Sequence, residues 1–350
     1  MDITFLVPCK DLAGGLRVVA CYGNTLIRRG HRVTVIYPQR DLPLKERLRR
    51  QAKRAIFHEK DHLDYFRGTL LEVAAIKEEH VPDGDCIVAT SFQTAEWAEA
   101  FPKRCGRKFY LIQGYEKMWA KEDENVDATF QMPFKNIVIS RWLKETVERI
   151  TGETDVPLIS NGRDFFLSEF LAEGLEREFH VGCLYSPVPF KKTGLALKTF
   201  KILREQIPDL KITMFGSQDP DHDQYPDFPF DTVHFQRKPL PEQVRATYLN
   251  TRVWLVPSGT EGFCLPALEA ISLGCTVVSV DNGGIRDIIS DGVEGYIVTE
   301  AEPTALAAKI ASILNDSVLE KRLAAAALRR ADDFSWERST DMLEKVLEEN

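Results

Sequence analysis

The chain has 350 residues, 45 Lys and Arg against 53 Asp and Glu for a formal net charge of -8, with 44% hydrophobic and 28% charged residues. These are the proportions of a soluble globular protein, and the acidic balance excludes a general nucleic-acid binder, which would be strongly basic. The length exceeds what one hydrophobic core usually serves, so two domains of roughly 150 to 180 residues are expected.

"MDITFLVP" at the start reads as a short strand, too short for the apolar core of a signal peptide, and no apolar run reaches bilayer-spanning length. The seven cysteines are odd in number and include no C-x-x-C pair, which reads as reduced core thiols in a cytoplasmic protein. After the first strand come a turn at Gly14-Gly15, a helical "RVVACYGNTLIRRG" and a second strand, "HRVTVIYP". Strand, helix, strand opens a doubly wound parallel sheet.

Residues 40–60 differ in character: eight Lys and Arg, among them Lys45, Arg49 and Lys60, stand against Asp41, Glu46 and Glu59, with Leu42, Leu44, Leu48 and Ile56 interleaved. Such a segment fits a solvated helix face, or an amphipathic helix lying on an anionic lipid surface. The apolar runs 86–91, 108–113 and 136–140 then complete a first α/β cycle. A second series begins after "ISNGRDFF", with strands expected at 180–185, 211–216, 232–236, 253–258, 275–280 and 295–298. The expected domains are therefore 1–158 and 159–334, each Rossmann-like. The Pro- and Asp-rich stretch 218–231 reads as a surface loop, and "FSWERSTDMLEKVLEEN" as a closing amphipathic helix. Open parallel sheets take ligands beyond the carboxyl ends of their strands, and two such sheets facing each other would make an interdomain cleft.

The segment "SGTEGFCLPALEAISLGC" is the most informative. Pro266 suits the first turn of a helix and Gly274 the position just past its end, giving a helix of about 265–273. Glu261 then precedes this helix and Glu269 lies a turn inside it, near the end where unpaired backbone N–H groups favour anions. Carboxylates accept hydrogen bonds, so they suit hydroxyls, while the N–H groups of Gly262, Phe263 and Cys264 suit a phosphate. Hydroxyls beside phosphate describe a sugar nucleotide.

"VPSGTEGFCLPALEAISLGCTVVSVDNGGIRDIISDGVEGYIV" resembles the E-x7-E region of the retaining glycosyltransferases of family 4, which have the GT-B fold. "GGLRVVACYGNTLIRRGHRVTV", "ISNGRD", "VGCLYSPVPFKKTGLALKTFKIL", "FGS" and the closing "FSW" helix are similar to other parts of that family. The resemblance implies that Glu269 holds the ribose hydroxyls, that Glu261 with the backbone of Gly262, Phe263, Cys264 and Leu265 faces the donor sugar, and that Lys191 neutralises the diphosphate. It adds Gly14, Gly15, Gly216, Ser217 and Lys192 to the donor-binding set, and packs the last helix, about 335–350, back on the N-terminal domain. Two departures stand out. Cys183 occupies a position where many members carry Arg, and "IQGYEKMW" replaces a segment with His. Arg17, Gln113, Tyr115 and Glu116 are the acceptor-side candidates.

The implied reaction is retaining transfer of a sugar from a nucleoside-diphosphate sugar to a hydroxyl of a glycan, lipid-linked or small-molecule acceptor. The leaving diphosphate takes the acceptor's proton, with no cofactor or metal. Rival readings are a sugar-nucleotide epimerase or hydrolase of the same fold and a non-catalytic nucleotide-binding partner. "DPDHD" reads as a solvated loop, and the His58/His62 pair lacks a third ligand and an H-E-x-x-H glutamate. Trp119 and Trp142 are expected to face the core, with the cleft as the alternative.

Overall fold

The structure, a computed structural model, describes residues 1–39, 45, 60–118, 120–122, 124–167 and 175–349. It divides into two units, residues 1–161 with 336–350, and residues 162–335.

In the first unit the apolar runs become β1 (Asp2–Leu6), β2 (Arg32–Pro38), β3 (Thr69–Val73), β4 (Cys86–Ala89), β5 (Arg107–Ile112) and β6 (Lys135–Val138). They form one parallel sheet in the order β3-β2-β1-β4-β5-β6. The intervening helices are α1 (Gly14–Arg28), α2 (Phe92–Ala98), α3 (Val126–Phe130) and α4 (Arg141–Thr151). Central strands β1 and β4 are buried on both faces, which explains why they read as continuous apolar runs rather than alternating ones. Strand β3 was not among the sequence expectations. It is an edge strand, half-exposed along its length, so its side chains carry no clear apolar signal.

The second unit repeats the plan. Its strands are β7 (Phe179–Tyr185), β8 (Ile212–Gly216), β9 (His234–Arg237), β10 (Thr251–Val256), β11 (Thr276–Val280) and β12 (Gly295–Val298), parallel and ordered β12-β11-β10-β7-β8-β9. Its helices are α5 (Thr193–Gln206), α6 (Pro241–Leu249), α7 (Leu265–Ser272), α8 (Ile285–Ile288), α9 (Pro303–Leu314) and α10 (Ser317–Ala331). The strand expected at 232–236 begins later, because Phe230–Thr232 form a short 3-10 turn in which Val233 N–H donates to Phe230 O at 3.1 Å. Val181, Cys183, Tyr185, Met214, Val253 and Leu255 share one core cluster with Ala196 and Phe200 of α5 and Leu306 and Ile310 of α9.

The last helix, α11 (Trp336–Glu348), belongs to the first unit although it follows the second in sequence. Trp336 meets Tyr22 of α1 edge to face at 5.3 Å. Ser339 donates to the Ser160 carbonyl at 2.6 Å, and Arg29 reaches Glu337, Asp341 and Glu344 at 3.0, 2.7 and 2.8 Å.

Candidate functional site

In the second sheet the chain runs outward from β7 through β8 to β9, then returns to the other side of β7 as β10. Strand order reverses there, so the loops leaving β7 and β10 head to opposite faces and open a crevice between them. The structure brings the 186–192 and 257–264 loops together at that point. Gly259 N–H donates to Phe190 O at 2.8 Å, and Lys191 Nζ lies 2.7 Å from a Glu261 carboxylate oxygen. Their side chains are only 21% and 11% exposed, so the pair is screened less than a surface ion pair. A Cβ at Gly259 would lie 2.7 Å from Lys192 Cε, so the end of the Lys192 side chain packs directly over this glycine.

A third loop, after β11, holds Glu261 from behind. Glu261 N–H donates to Asn282 O at 2.9 Å, and Gly284 N–H returns a bond to Glu261 O at 3.2 Å. A Cβ at Gly284 would lie 2.8 Å from the Phe263 backbone. Asn282 is buried, and its side-chain oxygen accepts from Ile285 N–H at the start of α8. Neither Asn282 nor Gly284 was singled out from sequence, although "DNGG" directly after a strand marks a tight loop there.

Cys264 enters α7 with φ of 75°, and Pro266 falls in the helix's first turn. Lys192, Lys238 and Cys264 are the non-glycine residues with positive φ among the described residues, and all three lie in carboxyl-edge loops of this sheet. Backbone strain collects at functional edges because the surrounding packing must hold it. Burial, aided by the Glu261 charge, pushes the Cys264 thiol well up, so it stays protonated and unreactive.

Glu269 lies one turn into α7, buried, and accepts a hydrogen bond from the Tyr248 hydroxyl at 2.7 Å. Tyr248 packs on Trp254 and Phe215, with centroids 4.5 and 5.8 Å away. Sequence reasoning missed Tyr248, and nothing in "RATYLN" announces it. Gly216 ends β8 and accepts from Lys238 N–H at 2.7 Å, while Ser217 is exposed just beyond it. A void of about 10 Å3 is lined by Lys191, Ser258, Glu261 and Trp254. A larger cavity of about 550 Å3 opens along Ser186, Val188, Lys192, Thr193, Lys198 and Tyr225, and does not reach Glu261 or Glu269. The strand-order reversal and the converging charges locate the site better than cavity size does.

Cys183 is a free core thiol, as its apolar strand setting predicts. It is fully buried in the core cluster with its sulfur against Leu184 O, and burial pushes its thiol well up. A charged side chain there would face the core rather than the carboxyl edge.

In the first unit, strand order likewise reverses between β1 and β4. Gly14 and Gly15 open α1, and Ala13 supplies no side-chain cap. A Cβ at Gly15 would sit 3.2 Å from Gln113 Nε2, placing Gln113 directly over this first turn, which also carries Arg17. Tyr115 donates to Asp127 at 2.7 Å. Glu116 accepts from Phe92 N–H at 2.6 Å, and burial lifts its pKa to about 7 against the opposing hydrogen bonds from Phe92 and Tyr110. Trp142 is half-buried rather than core, since it lies on the partly solvated face of α4. Apart from Lys45 and Lys60, the basic stretch 40–60 lies outside the described residues, as does Trp119. Among the described residues, no three His, Cys, Asp or Glu side chains are grouped to hold a metal ion, and no helix is long and apolar enough to cross a membrane.

Residues 187–330 match the sequence profile of "Glycosyl transferases group 1". A D-inositol 3-phosphate glycosyltransferase of Geodermatophilus obscurus is 43% identical over 96 residues, 27% of this chain and 21% of that protein. A poly(glycerol-phosphate) alpha-glucosyltransferase of Bacillus subtilis is 27% identical over 67% of this chain and 34% of its own length. The matches thus span between about a fifth and a third of these two relatives' lengths. Among solved structures, Anabaena Alr3699/HepE in complex with UDP-glucose superposes with a TM-score of 0.77 over 99% of both chains at 15% identity. The fold is therefore the two-domain α/β fold of GT-B glycosyltransferases.

Proposed function

We propose that this chain is a glycosyltransferase of the retaining, family 4 type, moving a sugar from a nucleoside-diphosphate sugar to an acceptor hydroxyl. The observation that carries the reading is the Lys191–Glu261 contact at the strand-order reversal of the second sheet. It sets a cation suited to a diphosphate beside a carboxylate suited to sugar hydroxyls. The profile match over 187–330 covers both residues and Glu269.

In this reading the chemistry is positioning and charge stabilisation. Lys191, assisted by Lys192 and by the N–H groups of Gly262 to Leu265, stabilises the negative charge that builds on the leaving diphosphate. Glu261 orients the sugar through its hydroxyls, and Glu269 holds the ribose. Gly216 and Ser217 line the nucleotide side. The acceptor hydroxyl attacks on the face the diphosphate leaves, and a diphosphate oxygen takes its proton, so no dedicated side-chain base is demanded; the family resemblance carries the reading that the transfer needs no metal. Gly14, Gly15, Arg17, Gln113, Tyr115 and Glu116 are assigned to the first unit's share of substrate contacts. The two relatives are named for phosphate-bearing polyols, inositol phosphate and poly(glycerol-phosphate), which makes such compounds the first acceptors to try. For the basic stretch 40–60 two readings stand, a solvated face and an anionic lipid surface; equal binding to neutral and anionic vesicles at low salt would remove the second.

Calorimetric titration with UDP, GDP and dTDP tests the donor reading. One nucleotide should bind in the micromolar range, and Glu269→Ala should weaken it by roughly 1 to 3 kcal/mol through the lost ribose hydrogen bonds. No binding to the wild type would favour a non-catalytic role, and an inverted anomeric product by NMR would exclude retention.

A further inference from the structure

We infer that Tyr248 is a positioning residue that aims the Glu269 carboxylate, and so decides whether the site distinguishes ribose from deoxyribose. This deepens the donor reading above and rests on it. Tyr248 is the penultimate residue of α6 and is fully buried, as is Trp254 beneath it. Its ring is held by Trp254 at 4.5 Å, Phe215 at 5.8 Å and Phe165 at 6.3 Å. Its backbone is held too: the Tyr248 carbonyl accepts from Arg177 at 3.1 Å and from the Cys275 thiol at 3.0 Å. A ring fixed on several sides fixes the direction of its hydroxyl, which donates to one oxygen of Glu269 at 2.7 Å.

A carboxylate has two oxygens and about four acceptor positions in one plane. With one oxygen held by an immobile phenol, the carboxylate's rotation is restricted, and it has less reorganisation to undergo to meet a vicinal diol. Satisfying a buried phenol does not by itself call for a carboxylate, since a backbone carbonyl accepts equally well without the cost of desolvating a charge. The pairing of an immobile phenol with a buried acid at a ligand-binding edge is the arrangement expected where the acid's orientation matters.

The test compares UDP with 2′-deoxyuridine diphosphate, and GDP with 2′-deoxyguanosine diphosphate, by calorimetry on the full chain. Wild type should prefer the ribonucleotide of the cognate pair by about tenfold or more, and Glu269→Gln should erase most of that preference. Tyr248→Phe keeps the ring and its packing, so its preference should fall to about threefold or less while the deoxynucleotide affinity stays within a factor of two. A Tyr248→Phe variant with wild-type preference makes the tyrosine merely structural and overturns the inference. A preference unmoved by Glu269→Gln overturns the ribose assignment of Glu269 itself, a failure distinct from the first. Should Tyr248→Phe not fold, the double variant Tyr248→Phe/Glu269→Gln removes the charge the phenol served. It should match Glu269→Gln alone in ribonucleotide affinity, and a further loss would show that Tyr248 acts by another route.

Discussion

Lys191 and Glu261, 70 residues apart in the chain, meet at 2.7 Å because they sit on the loops leaving β7 and β10, the neighbouring strands between which the sheet's order reverses. In the proposed reaction the lysine meets the leaving diphosphate. Lys191→Met keeps the side chain's bulk and removes its charge, so kcat/KM for transfer should fall roughly 100- to 1000-fold, as for loss of one stabilising donor at a developing oxyanion. Lys191→Arg should recover part of it. A steady-state comparison of the three proteins checks this, with a near-wild-type Lys191→Met rate as the contrary result.

Gly284→Ala tests the backing of the same loop. The added Cβ would stand 2.8 Å from Phe263 backbone atoms and 2.9 Å from Glu261 O, neither of which can rotate away. The Glu261 loop must shift, so the variant should lose about 1 to 3 kcal/mol of stability and most of its transfer activity. Denaturant melts and rates together read the effect; unchanged activity would mean the loop tolerates displacement.

Glu116 gives a pH dependence. Folding lifts its pKa from 4.5 to about 7, chiefly by burial. Between those values the native state holds a proton that the unfolded state releases, so stability attributable to this group falls as pH rises through that window and levels off above it. Glu116→Gln should therefore be more stable than wild type above pH 7, by about 1 to 3 kcal/mol, with the difference vanishing toward pH 4.5. Melting curves at pH 4.5, 6 and 8 measure it.

The clasp of α11 on α1 should show the opposite sign. Hydrogen bonds from Arg29 and Arg28 hold Glu337 below its usual carboxylate range, and bonds from His31 and Arg29 do the same for Glu344. Such groups contribute stability above the unfolded value near 4.5, and the contribution is lost as pH falls through their lower folded values. Arg29→Met should lower the melting temperature by roughly 2 to 4 °C at pH 7, with a smaller gap in acid. Hydrogen exchange in 336–348 should rise in the same variant.

The sequence by itself determined the two α/β cycles, the position of α7 and the spacing that puts Glu261 before it and Glu269 within it. Those features are local: apolar runs, Pro266 in the first turn and Gly274 past the end are read within a few residues. Edge strand β3 escaped because a half-exposed strand of "TLLEV" leaves no run to read. Only the tertiary structure decided that Gly284 lies against Phe263, that Tyr248 holds Glu269 and that burial lifts the Glu116 carboxyl to about 7. Each of these depends on which loops a parallel sheet brings side by side at its carboxyl edge. That adjacency follows from strand order, which local periodicity does not encode.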